Sequence, residues 1–156
     1  MGVGSSFGEA YNKAVLATSQ EIPGKGMVFI SVRDKDKPDA VQVARDFVEA
    51  GFSLCATEGT ARIIGSAGVE CTRVNKVAEG HPHVVDMLKN DEISLIVNTT
   101  EGRQAIMDSH SIRTTAIQHK VFYTTTIAGA KAIISALREY HIDSIRCLQE
   151  LHEPVT

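Results

Sequence analysis

The chain has 156 residues and a mass of 16.9 kDa, enough for one ordinary domain with a short appendage. Its 43% hydrophobic and 22% charged residues suit a packed globular domain and exclude wholesale disorder. A net charge of −3 supplies no global positive field for nucleic acid or an anionic membrane, so any anion site must be local.

No apolar stretch approaches the ~18 residues of a membrane-spanning helix, and no signal-peptide pattern opens the chain. Cys55, Cys71 and Cys147 are odd in number and form no C-x-x-C pair. Reduced thiols in a cytoplasmic setting are expected, without a disulfide framework or structural zinc.

From Met1 to about Gln20 the pattern predicts a helix, with Ser6 and Glu9 at capping-box spacing and Phe7, Tyr11, Ala14 and Val15 as its apolar stripe. Residues 22–26 (IPGKG) break that pattern and mark a junction. A helix this short cannot bury its apolar face alone, so it docks either on this domain or on another. After the junction, apolar runs and helical patterns alternate. Met27–Val32 reads as a buried parallel strand. Pro38 opens a helix with inner face Val41, Ala44, Phe47 and Val48, closed by Gly51. Ser53–Ala56 is a second strand, followed by a helix from Thr60 to about Ala67 that Gly68 closes. Val69–Val74 is a third strand, and Pro82–Lys89 is helical. Ile93–Val97 is a fourth strand, Arg103–His119 a helix in two pieces, and Val121–Tyr123 a fifth strand. Thr126–Tyr140 is the last helix. Such alternation implies right-handed βαβ crossovers and an open α/β fold, a five-stranded parallel sheet with helices on both faces.

In such sheets ligands bind beyond the carboxyl ends of the strands. The residues found there are Ser31, Arg33 and Lys37 after strand one, then Thr57, Gly59 and Thr60 after strand two. Lys76 follows strand three, and Asn98, Thr99, Thr100, Glu101 and Arg103 follow strand four. Hydroxyls, helix N-terminal amides and a few cations are the equipment for a phosphate. Taken singly, these residues read as caps, turns and solvated charges. Their convergence on one sheet edge is what points to a site. His81-Pro82-His83 could suggest a metal, but the proline forces an extended kink and no acidic or Cys partner stands at ligand spacing, so no metal is expected. His110, His119, His141 and His152 are scattered and read as surface residues.

The segments ATEGTA (56–61), VNKV (74–77) and NTTEGRQAI (98–106) resemble, at these spacings, the C-terminal allosteric region of the carbamoyl phosphate synthetase large subunit. The opening MGVGSSFGEAYNKA resembles the end of the preceding synthetase domain of that subunit. The resemblance implies a methylglyoxal synthase-like fold over residues 26–156, with residues 1–25 a helix and linker from the preceding domain. It implies a regulatory, non-catalytic role, with uridine monophosphate (UMP) as inhibitor and inosine monophosphate (IMP) as weak activator. The family's nucleotide positions correspond to Ser31, Lys37, Thr57, Thr60, Lys76, Asn98 and Thr100. Tyr123 and Thr125 correspond to part of an ornithine site, beside Thr124 where the family often carries an acidic residue. The remaining ornithine contacts belong to other domains. The implied parent is a cytoplasmic ligase with ATP, Mg or Mn, and K as cofactors. Its partners are the rest of the large subunit and a glutamine amidotransferase small subunit, in arginine and pyrimidine synthesis. This domain itself needs no cofactor. The alternative is an enzyme of the methylglyoxal synthase type. That enzyme's two catalytic aspartates would fall near His81 and Glu101, where one carboxylate is lost and the other lengthened.

Overall fold

The computed structural model describes residues 1–139. Tyr140 of the expected last helix, and His141, Cys147 and His152, lie outside the described residues. Five strands form one all-parallel sheet in the order β3-β2-β1-β4-β5, with β1 Gly26–Ser31, β2 Phe52–Thr57, β3 Thr72–Val74, β4 Leu95–Asn98 and β5 Phe122–Thr124. The helices before, between and after them are α1 Phe7–Leu16, α2 Lys37–Glu49, α3 Glu58–Ser66, α4 Val84–Lys89, α5 Arg103–Gln118 and α6 Ile127–Arg138. None is long and apolar enough to cross a membrane.

The central strands are apolar at consecutive positions because both faces of the sheet are covered. In β1, Val28 and Ile30 point into a layer built by α2, α3 and α6, while Phe29 points into a second layer built by α4 and α5. The same division separates Leu54 and Ala56 from Cys55 in β2, and Leu95 and Val97 from Ile96 in β4. The strands register Val28 opposite both Leu54 and Leu95, so the first layer is continuous across the three middle strands. The chain runs outward from β1 to β3, then crosses back to β4 on the other side of β1. The carboxyl ends of β1 and β4 therefore flank the point where connections diverge to opposite faces, the position where open α/β sheets hold ligands.

Local signals govern where elements start and stop. Gly51 takes φ +90° just past α2 and Gly68 takes φ +77° past α3, as helix-closing glycines do. Thr126 caps α6, its Oγ1 accepting from Gly129 N at 3.0 Å. Between α2 and α5, four expectations about faces and boundaries are corrected. The buried face of α2 is Ala40, Val43, Ala44 and Phe47, leaving Val48 44% exposed, because the stripe is rotated by about one position from the one read in the sequence. Residues 69–71 do not join β3, which pairs with β2 over three residues only. Pro82 precedes α4 rather than opening it.

The fourth correction concerns α5, which is one continuous helix. Within its polar stretch Ser109 faces inward, toward the sheet end, while His110 and Ser111 face outward as on any amphipathic helix.

The N-terminal helix docks on this domain, against α6. Ser6 caps it as expected, accepting from Glu9 N at 3.2 Å, but Glu9 returns the bond to Ser5 N at 2.7 Å rather than to Ser6. Gly8 and Asn12, not Phe7, make the buried face; Phe7 stays 64% exposed and stacks on Tyr11. A side chain at Gly8 would meet Ser135 O at 2.5 Å, so only glycine lets the two backbones come this close. Ile22, inside the junction, is fully buried in the first layer.

Candidate functional site

A cleft of about 690 Å³ opens at the carboxyl edge of the sheet. Its floor is Phe29 and Ser31 of β1, Thr57 of β2 and Asn98 of β4. One rim is the start of α3, the opposite rim the start of α5, and a third side is the single 3₁₀ turn Val77–Glu79 that follows Lys76. All ten residues expected at a nucleotide site line this one cleft. Neither Thr57, N-cap of α3, nor Gly102, N-cap of α5, puts a side chain over the first amides of its helix. Both helix starts therefore face the cleft with donors still to be satisfied.

The hydroxyls form a connected set. Ser31 Oγ lies 3.2 Å from Thr57 Oγ1, which donates to Thr60 Oγ1 at 3.5 Å. Thr60 is 2% exposed and its oxygen accepts from Val32 N at 3.3 Å, so this side chain also ties the end of β1 to α3. Thr99 does the equivalent on the other side: its amide donates to Ser31 O at 2.9 Å, and its Oγ1 accepts from Arg33 N at 3.1 Å. Two of the expected binding residues thus hold the cleft together from within. At Gly59 an added methyl would meet Lys37 Nζ at 3.4 Å, an ordinary contact. The glycine is not demanded by the fold, but its position brings the Lys37 ammonium to the start of α3.

The charges are mixed. Lys37 pairs with Asp34 at 2.5 Å and Arg33 with Asp36 at 2.7 Å. Lys37, with a smaller contribution from Lys76, holds the Asp34 carboxyl below its ordinary range, and Arg33, helped by Thr99, does the same for Asp36. Lys76 makes no ion pair among the described residues; its backbone amide donates to the Glu79 carboxylate at 2.9 Å. Of the cations lining the cleft, Lys37 and Arg33 are thus paired with neighbouring carboxylates, while Lys76 and Arg103 stand apart from these pairs.

Sequence reasoning missed the α5 wall. Ser109 and Ile112 line the cleft three residues apart on one helical face, a spacing visible in the sequence once α5 is read as a single helix. Asn98, 4% exposed, donates to Ser109 Oγ at 3.2 Å and to Tyr123 Oη at 2.9 Å. Tyr123 is half-buried behind the cleft with the Arg113 guanidinium 5.5 Å above its ring. Thr125 is exposed beyond the end of β5. The structure thus places the two ornithine-like positions outside the cleft, with Tyr123 joined to its floor through Asn98.

One premise about metals is corrected. Asp86 supplies the acidic partner that spacing failed to reveal: its Oδ2 lies 2.6 Å from His81 Nδ1 and 3.1 Å from His83 Nδ1. The turn after the cis His81–Pro82 bond folds the two rings to within 4.3 Å of each other.

A family model described as an MGS-like domain matches residues 39–125, more than half of the chain, from the first turn of α2 to just past β5. The chain belongs to the MGS-like domain family. A methylglyoxal synthase from Elizabethkingia anophelis shares the fold of this MGS-like domain, with a TM-score of 0.59 over 72% of this chain and 79% of that one, at 21% identity. In sequence the domain is similar to part of the carbamoyl phosphate synthase large chains of Pseudomonas putida (58% identical over 152 residues) and Pseudomonas aeruginosa (59% over 152 residues). Each match takes in 97% of this chain but 14% of the relative's length, so the chain spans about a seventh of the proteins it matches.

Proposed function

We propose that this MGS-like domain is the allosteric module of a carbamoyl phosphate synthase large chain and that its cleft takes a nucleoside monophosphate. What carries the reading is the meeting, in one cleft of about 690 Å³, of the uncapped start of α3, the Thr57 and Thr60 hydroxyls and the Lys76 ammonium. Helix-start amides, hydroxyls and a compact cation are what a phosphate needs, and the volume falls in the range of small-ligand sites, about 300–1,000 Å³. The phosphate lies among Thr57, Thr60, Lys76 and Lys37. The ribose and base extend toward Asn98, Thr100 and Arg103, against the apolar wall of Val84 and Ile112. In this reading UMP inhibits and IMP weakly activates.

The parent enzyme is an ATP-dependent ligase that uses Mg or Mn and K. It makes carbamoyl phosphate from bicarbonate, glutamine nitrogen and ATP in the cytoplasm, for arginine and pyrimidine synthesis. Residues 1–25 continue from its preceding synthetase domain, and a glutamine amidotransferase small subunit completes it. A nucleotide bound here changes synthetase activity only through differential affinity for two states of the whole subunit. Tyr123 and Thr125 supply one side of an ornithine site whose other side lies in the parent, so this chain alone binds ornithine weakly.

Calorimetric titration with UMP and IMP tests the reading. Wild type binds both, and Lys76→Ala weakens UMP by roughly 10- to 150-fold, the loss of one charge-assisted hydrogen bond of about 1.5–3 kcal/mol. Equal affinity in the two proteins, or no saturation by either nucleotide, would overturn it.

A further inference from the structure

Beside the cleft, and unused by the function proposed above, His81, His83 and Asp86 each bring one donor atom to within 4.8 Å of the other two. Asp86 Oδ2 lies 2.6 Å from His81 Nδ1 and 3.1 Å from His83 Nδ1, and it also accepts from His83 N at 2.9 Å. Protein–protein hydrogen bonds do not account for the whole cluster. His83 is 7% exposed, and its Nδ1 has no hydrogen-bond partner despite the nearby carboxylate. A buried imidazole nitrogen left unpaired is costly, and this one points at an oxygen already shared between two other donors.

We propose that His81, His83 and Asp86 form a binding site for a late first-row divalent cation of the Zn²⁺ type, with water in the fourth position. Two imidazoles and one carboxylate suit Zn²⁺, Co²⁺, Ni²⁺ or Cu²⁺, whereas Mg²⁺ and Ca²⁺ require mostly oxygen donors. Tetrahedral ligands at about 2.0–2.1 Å from the ion stand roughly 3.3 Å apart. The 3.1 Å separation of His83 Nδ1 from Asp86 already approaches that spacing. The 2.6 Å separation on the His81 side must open by several tenths of an ångström, and the 77% exposed His81 ring is free to do so. That exposure is also the entry path. On binding, the proton shared between His81 and Asp86 leaves to solvent and the imidazole lone pair goes to the ion.

The site would clamp a functional segment. His83 forms a bridge with Asn75, and Val84 N donates to Asn75 O at 3.3 Å. An ion here therefore pins both ends of the turn that carries Lys76 into the cleft.

The test is titration of the 156-residue chain with Zn²⁺ and, separately, Co²⁺ in chelator-free buffer. Wild type takes up one equivalent of Zn²⁺ with a rise in thermal midpoint, and Co²⁺ gives visible bands of a four-coordinate nitrogen–oxygen site without thiolate charge transfer. Asp86 also caps α4, so its removal disturbs the turn independently of any ion; His81→Ala, on an exposed ring, is the deciding variant. It should bind Zn²⁺ at least about 10-fold more weakly and lose the Co²⁺ bands. His119→Ala, which removes the separate His119–Asp91 pair, should leave both unchanged. Equal Zn²⁺ affinity in wild type and His81→Ala, loss of the equivalent in His119→Ala instead, or thiolate bands would each overturn the proposal.

Discussion

Thr60→Val keeps the side-chain shape and deletes an oxygen that ties the end of β1 to α3 and, in the function proposed above, also meets the phosphate. Thr60 lines the cleft and is nevertheless 2% exposed. The Val32 amide loses its acceptor at 3.3 Å and Thr57 Oγ1 loses one at 3.5 Å. Stranding a buried donor costs about 1–3 kcal/mol. Both bonds are longer than the usual value of about 2.9–3.0 Å, and Thr57 keeps Ser31 Oγ at 3.2 Å, which places the loss near the lower limit, about 1 kcal/mol. For a domain of this size the thermal midpoint falls by roughly 2–4 °C. Thr60→Ser retains the oxygen and deletes a buried methyl, about 0.8 kcal/mol, so melting alone does not separate the two variants. Amide hydrogen exchange does. Val32 should lose protection in Thr60→Val beyond the global change and keep it in Thr60→Ser. UMP affinity should fall roughly 2- to 13-fold in the valine variant, one ordinary hydrogen bond of about 0.5–1.5 kcal/mol, and hold in the serine variant. Unchanged Val32 exchange together with unchanged UMP affinity in Thr60→Val would refute both duties.

Gly8→Ala should lower the urea midpoint by about 1–3 kcal/mol of stability, since its methyl would sit 2.5 Å from Ser135 O and push α1 off α6; wild-type stability would show the helix is not seated this closely. Lys13, then Ser5, hold the Glu9 carboxyl down to about 2 from an ordinary 4.5. Because the folded value is the lower one, its contribution is complete above about pH 4.5 and is lost as pH falls toward 2. The stability gap between wild type and Glu9→Gln should therefore close over that window, and a gap independent of pH would contradict this. Dihydroxyacetone phosphate should not be turned over. The base position near His81 carries no carboxylate, the neighbouring Asp86 is engaged by His83 N and His81, and Glu101 is exposed. Release of methylglyoxal and phosphate above buffer, lost on changing Glu101, would displace the regulatory reading.

Much of the cleft is legible in the sequence because parallel topology places every strand's carboxyl end on one edge. Once the apolar runs are identified as strands, Ser31, Thr57, Lys76 and Asn98 must converge, whatever the details of packing. Ser109 and Ile112 are not legible in this way, since the polar run around Ser109 imitates a helix break unless the buried partner Asn98 is known.

The sequence by itself determined the order of elements, the two-faced burial of β1, β2 and β4, and the glycine and threonine stops that bound the helices. Those are local or periodic properties, and each needs only a few neighbouring residues. Tertiary structure alone decided the roll of each helix about its axis. Periodicity says which residues share a stripe, but packing of α2 against β2 and α6 chooses Ala40 and Val43 over Val48, and packing of α1 against α6 chooses Gly8 over Phe7. It also decided the long-range polar pairs. Asn98 with Tyr123, 25 residues apart, meets across two neighbouring strands, and the rings of His81 and His83 meet one Asp86 oxygen through a turn. Such pairs depend on distances of a few ångströms set by the whole fold, and no spacing rule along the chain encodes them.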